Sequence, residues 1–118
     1  MVDYDERNHE RSCCPIACAL DHLGDKWTLL IIRDLLLGKK RYQEFLESPE
    51  QIATNILANR LKKLEAVGIL TQQIYQKKPI RYEYVLTAKG EDLRLVLQTL
   101  AEWGKTYYPG TKVFMTHV

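Results

Sequence analysis

The chain has 118 residues and a mass of 13.8 kDa, is 46% hydrophobic and 27% charged, and holds six glycines and four prolines. That suits one globular domain and excludes collagen-like, low-complexity and multidomain architectures. Its longest uninterrupted aliphatic run, Leu29 to Ile32, falls far short of the roughly 20 apolar residues of a membrane span, and the polar start Met1 to Arg11 does not read as a secretory signal. A domain of this size buries about 65% of its unfolded surface, enough for one core but little for a deep cleft beside it, so binding is favoured over catalysis.

The net charge of +2 conceals an uneven distribution. Residues 1–25 carry two basic against six acidic side chains, a net −4, whereas residues 26–90 carry twelve against six, a net +6. The positive charge gathers in three clusters, Lys39-Lys40-Arg41, Arg60-Leu61-Lys62-Lys63 and Lys77-Lys78-Pro79-Ile80-Arg81. Taken alone, such runs read most simply as solvated faces. Cys13, Cys14 and Cys18 lie within six residues of one another, unlike a disulfide framework spread along a secreted chain, so reduced thiols and a cytoplasmic protein are expected.

In chain order, Pro15 to Leu23 is predicted as a short helix: Ile16, Leu20 and Leu23 recur at helical spacing, Cys14 takes the N-cap, proline suits the first position and Gly24 ends it. A second helix is predicted from about Lys26 to Leu37, capped by Asp25, stopped by Gly38 and apolar nearly all round, as befits a central core helix. Tyr42 to Glu47 forms a third with Tyr42, Phe45 and Leu46 inward, closed by Ser48-Pro49. The fourth, Ile52 to Val67, sets Ile56, Leu57, Leu61, Leu64 and Val67 on one stripe, with Gly68 after its end. Asn55, Ala58, Asn59 and Lys62 share its opposite face, flanked by Thr54 and Lys63, while Arg60 falls at the edge and is expected to pair with Glu65 or a backbone group. Ile69 to Gln76 and Arg81 to Leu86 read as strands of a hairpin with Lys77-Lys78-Pro79 at its turn. Thr87 caps a closing helix, Ala88 to Trp103, striped by Leu93, Val96, Leu97 and Leu100.

Helices followed by a basic-tipped hairpin and a closing helix are the order of a winged helix-turn-helix, a mainly α fold with a small β wing. A helix offering short amides fits the major groove, and a neighbouring basic hairpin reaches the adjacent backbone. The domain is placed at residues 14–104, with a polar arm over 1–13 and a tail over 105–118.

The residues also resemble the HxlR-type winged-helix transcriptional regulators, relatives of the MarR-like repressors of bacteria. The resemblance runs from Cys14 to Gly104 and is carried by Cys14-Pro15, Gly24-Asp25-Lys26-Trp27, Gly38 with Arg41-Tyr42-Gln43-Glu44-Phe45, Leu57 with Leu61 and Leu64, Gly68-Ile69, Glu83-Tyr84-Val85-Leu86-Thr87 with Gly90, and Trp103-Gly104. It implies a homodimer, built largely from the first and last helices, on a pseudo-palindromic operator in double-stranded DNA. In some members a cysteine matching Cys14 reacts with electrophiles or oxidants. Several stress-sensing members carry a basic residue where this chain has Asn55, and approach the recognition helix through a glycine where it has Ser48-Pro49-Glu50-Gln51.

The expected DNA-binding residues are Thr54, Asn55 and Asn59 at base edges, where asparagine pairs bidentately with adenine, and Lys62, Lys63, Lys77, Lys78, Arg81 and Arg41 at phosphates. Thr54 and Asn55 have an alternative reading as helix-capping residues. Cys14, at a helix N-terminus, is the candidate thiol sensor of an oxidant or small-molecule effector, its alternative being a small residue at a dimer contact. Cys14, Cys18 and His22 recur along one helical face, but eight residues of helix span about 12 Å and no second ligand pair exists, so no metal is expected. His9, His22 and His117 are scattered, and the sequence has no nucleophile elbow, Gly-rich phosphate loop or HExxH motif. No enzyme, no cofactor and no membrane association are expected. The competing functional class is a winged-helix module that binds protein or RNA.

Overall fold

The computed structural model describes residues 11–112. Most of the expected N-terminal arm and the end of the tail, with His9 and His117, lie outside the described residues. The elements are α1 (Pro15–Leu23), α2 (Thr28–Leu36), α3 (Tyr42–Leu46), α4 (Thr54–Ala66), β1 (Leu70–Lys77), β2 (Ile80–Leu86), α5 (Ala88–Glu91) and α6 (Arg94–Tyr107). This is the winged helix-turn-helix order. No helix among the described residues is long and apolar enough to cross a membrane.

The core is assembled where the apolar stripes of α2 and α4 meet. Ile31, Ile32 and Leu35 of α2 pack with Leu57, Leu61 and Leu64 of α4. Phe45 of α3 closes one end, its ring edge against Tyr84 of β2 with centroids 6.1 Å apart. Gly68 adopts φ +79°, a left-handed conformation that turns the chain from α4 into the hairpin at little steric cost to glycine. β1 and β2 then pair antiparallel from Leu70↔Leu86 to Lys77↔Ile80, leaving Lys78-Pro79 as the turn, so that Lys77 closes the first strand rather than opening the loop.

Three elements differ from their expected bounds by more than one residue. α2 begins at Thr28, because the Asp25 carboxylate accepts from the backbone N–H groups of both Trp27 and Thr28 and holds Lys26-Trp27 in the turn before the helix. α4 begins at Thr54, because the chain reaches the left-handed region at Gln51, φ +55°, and buries Ile52 before the helix starts. The closing helix is two pieces. Leu93 N–H reaches back three residues to the Gly90 carbonyl, a tightened turn that separates α5 from α6, and α6 continues through Tyr107, into the expected tail.

Gly90 has a packing reason for lacking a side chain. A Cβ there would lie 2.3 Å from the Ile69 carbonyl oxygen and 2.7 Å from Leu86 Cδ2. Gly90→Ala is therefore expected to force α5 off the base of the hairpin and to cost about 1–3 kcal/mol of stability, read as a lower midpoint in urea unfolding.

Candidate nucleic-acid interface

With Leu57, Leu61 and Leu64 buried, the opposite side of α4 faces solvent, at about 100° per residue. Thr54, Asn55, Asn59, Lys62 and Lys63 are all exposed there. The capping alternative for Thr54 and Asn55 is not what the geometry gives: Ala53 holds the N-cap, no side chain caps it, and both residues lie inside the helix. Thr54 contributes through its backbone, its carbonyl accepting from the Tyr42 hydroxyl at 2.6 Å and so fastening α3 to the start of α4.

The approach to α4 rests on a buried polar network that hydrophobic patterning did not show. Arg33 and Asp34, only 8% and 4% exposed, sit on the side of α2 facing the 48–51 turn. Arg33 forks onto both carboxylate oxygens of Glu50 at 2.8 Å and donates to Asp34 at 3.0 and 3.1 Å. The Ser48 hydroxyl donates to the other Asp34 oxygen and accepts from Lys39 Nζ. Hydrogen bonding from Arg33 holds the Glu50 carboxyl below its ordinary value against the opposing effect of burial. Lys39, in the first basic cluster, is thus occupied inside the fold.

Arg41 has a different place from its neighbours. Its guanidinium stacks 3.9 Å from the Tyr75 ring centroid. The hairpin register slips between Ile74 and Gln76, so Tyr75 is the extra residue of a bulge, the device that re-aims a side chain out of the ladder. The Glu44 carboxylate accepts from the Lys40 and Arg41 amides, which hold its carboxyl below the usual range. Lys77, Lys78 and Arg81 are exposed at the wing, whose turn is braced by Gln76 Nε2 donating to the carbonyls of Lys78 and Pro79.

Arg60 does not pair with Glu65. Five residues apart on a helix, the two project to different sides, and Glu65 instead accepts from Gln72 of β1. Arg60 Nε donates to Asp25 Oδ2 at 2.8 Å, and Nη1 donates to Asn59 Oδ1 at 2.5 Å. Burial alone would raise the Asp25 carboxyl, but hydrogen bonds from the Thr28 hydroxyl, Arg60 and the Trp27 amide outweigh it and bring it down to about 2.

Away from the α4 face, the large exposed hydrophobics concentrate on α1 and α6. Ile16 is 71% exposed and Trp103 57%, with Leu20, Leu95, Val96 and Leu100 at 46% or more. α1 buries no residue of its own. Trp103 packs against Tyr107 with centroids 5.2 Å apart and rings inclined at 45°, a contact that spans Gly104 within α6. A cavity of about 280 Å³ lies between α2 and α6, walled by Leu29, Leu30, Leu97 and Leu100. Cys14 holds the N-cap of α1 and is exposed, and the amides of Ala17 and then Ile16 favour its thiolate, holding the thiol below its ordinary value. Cys18 Sγ is placed 3.6 Å from the Ser12 carbonyl oxygen.

A solvent-facing polar helix beside a basic two-stranded wing is the arrangement of a winged-helix, DNA-binding transcriptional regulator. The sequence profile of the HxlR-like helix-turn-helix family matches residues 22–112, and the chain belongs to that family. The transcriptional regulator YodB of Bacillus subtilis is 36% identical over 102 residues, 86% of this chain and 91% of its own. A helix-turn-helix regulator of Methanothermobacter thermautotrophicus is 33% identical over 103 residues, 87% of this chain and 79% of its own. Among solved structures, reduced YodB has a TM-score of 0.69 at 34% identity, covering 86% of this chain and 100% of that one. The redox regulator HypR in its reduced form has a TM-score of 0.72 at 33% identity, covering 79% and 92%.

Proposed function

We propose that this protein works in the cytoplasm as a homodimeric, sequence-specific regulator that sets its two α4 helices into successive major grooves of a pseudo-palindromic operator. The observation that carries the reading is the outer face of α4, where Asn55, Asn59, Lys62 and Lys63 stand exposed opposite the core. Thr54, Asn55 and Asn59 meet base edges. Lys62, Lys63, the wing residues Lys77, Lys78 and Arg81, and Arg41 beside them meet phosphates. The exposed apolar residues of α1 and α6 support pairing of two copies, since patches of this kind on a soluble domain mark interaction surfaces.

Binding-site selection from random duplex DNA at two salt concentrations tests this. A two-fold-related motif, with half-sites about 34 Å apart and affinity falling steeply with salt, is the expected result. Recovery of no motif from folded protein would shift the assignment to an interaction module for protein or RNA. On the recovered operator, Lys78→Ala is expected to weaken specific and random DNA alike and to reduce the salt slope by about one. Asn59→Ala is expected to lower only the ratio between them, by roughly fivefold or more.

Cys14 is the proposed sensor. HypR is a redox regulator, and YodB has been crystallised in diamide-treated and quinone-bound forms. The exposed sulfur and the helix amides that favour its thiolate are what a reactive cysteine requires. At pH 7 a limiting electrophile should modify Cys14 ahead of Cys13 and Cys18, with its rate inflecting below the ordinary thiol range. Peptide mapping of the alkylated protein across pH checks both points, and release of operator by diamide should disappear in Cys14→Ser.

A further inference from the structure

The amide of Asn59 is not symmetric in what it offers to DNA. A guanidinium carries donors and no acceptor, so the Asn59 atom that Arg60 Nη1 meets at 2.5 Å is the carbonyl oxygen, and the Nδ2 amino group is the end left toward solvent. Arg60 is itself held in place: its Nε donates to Asp25 Oδ2 at 2.8 Å, and that carboxylate is fixed by the amides of Trp27 and Thr28. Asn59 therefore presents its N–H donors beside a clamped cation.

The bidentate pairing of asparagine with adenine needs its oxygen to accept from N6 while its nitrogen donates to N7. Here one of the oxygen's two lone pairs is taken by Arg60, and the positive charge next to it opposes the approach of a second donor such as the N6 amino group to the other. Guanine presents two adjacent acceptors, N7 and O6, and no donor on that edge. We infer that Arg60 is a positioning residue that turns Asn59 into a donor-only reader, so that the protein selects guanine over adenine at the base Asn59 faces. This rests on the proposed role of α4 in the major groove, and it replaces the adenine preference expected from asparagine alone.

The test is selection from random duplexes run in parallel with wild type, Asn59→Ala and Arg60→Met, followed by affinities for the four base pairs at the affected position and for a 7-deazaguanine duplex. The expected wild-type result is guanine over adenine by about fivefold or more there, with 7-deazaguanine binding more weakly. In Arg60→Met that ratio falls toward one, while the other positions and the salt slope stay as in wild type. Arg60→Lys, which keeps a cation for Asp25 but lacks the planar fork that reaches two partners, gives the same loss and serves if the methionine variant does not fold.

Adenine preferred by wild type, or a position lost in Asn59→Ala yet unmoved in the Arg60 variants, overturns the inference and leaves the DNA-reading role of Asn59 intact. Unchanged discrimination at every position in Asn59→Ala removes that role and the inference together. So does a wild-type selection that yields no motif.

Discussion

Replacing Arg33 with alanine is expected to destabilise the fold by about 3–5 kcal/mol, because it leaves the buried Asp34 carboxylate without its guanidinium and Glu50 without its fork. The loss is read from urea unfolding. Arg33→Lys restores only part of it, since an ammonium cannot fork onto Glu50 while also holding Asp34. Arg33→Met combined with Asp34→Asn costs less than Arg33→Ala alone, because the uncompensated buried charge at Asp34 has gone. Glu50 is held below its ordinary value by Arg33, so its share of the network's stability is present above the usual carboxylate range and fades as acid protonates it. The same change loosens the 48–51 turn that delivers the chain to Thr54, so operator affinity is expected to fall as well.

The second large effect concerns the proposed pairing of two copies. Trp103→Glu puts a charge on the exposed apolar face of α6 without entering the core, so the protomer is expected to keep its helical circular-dichroism signal while sedimenting as a monomer. Two half-sites engaged together gain from the high effective concentration of the second, so a folded monomer should bind the operator about a hundredfold more weakly, or worse. A Trp103→Glu protein that stays dimeric and binds normally would move the interface away from α6.

Much of this molecule can be read without coordinates. The bounds of α1, the stripe Leu57, Leu61, Leu64, the paired strands and the Thr87 cap each follow from periodicity or from a local hydrogen bond, which a sequence displays directly. What escaped was long-range and polar. Arg33 and Asp34 interrupt an otherwise apolar helix, and only the fold reveals that Glu50, 17 residues on from Arg33, comes to meet it. Asp25 shows as the cap of α2, but nothing local signals its ion pair with Arg60, 35 residues away, and so the orientation of the Asn59 amide was hidden too. The tightened turn at Leu93 is equally invisible, because the stripe of Leu93, Val96 and Leu97 continues across it. Of the first basic cluster the sequence singled out Arg41 alone, and the fold adds the reason Lys39 stands apart: it is engaged with Ser48, whereas the lysines of α4 and the wing are exposed.

The hairpin is secured unevenly along its length. At its base Thr87 Oγ1 lies within hydrogen-bonding distance of the Gly68 and Ile69 carbonyls and the Tyr84 amide donates to the Lys40 carbonyl, and at mid-height Arg41 stacks on Tyr75. Beyond that point Ile80 is exposed, near the end of a ribbon of two strands, which on its own is only marginally stable in water. Amide exchange should therefore quicken from Leu70 toward Lys78, with the tip opening at little free-energy cost. Such a tip can follow a phosphate backbone whose path varies with sequence, and the entropy lost in ordering it then offsets part of the ionic attraction. In the proposed complex the wing would thereby tolerate many DNA shapes and leave discrimination among them to the rigid helix.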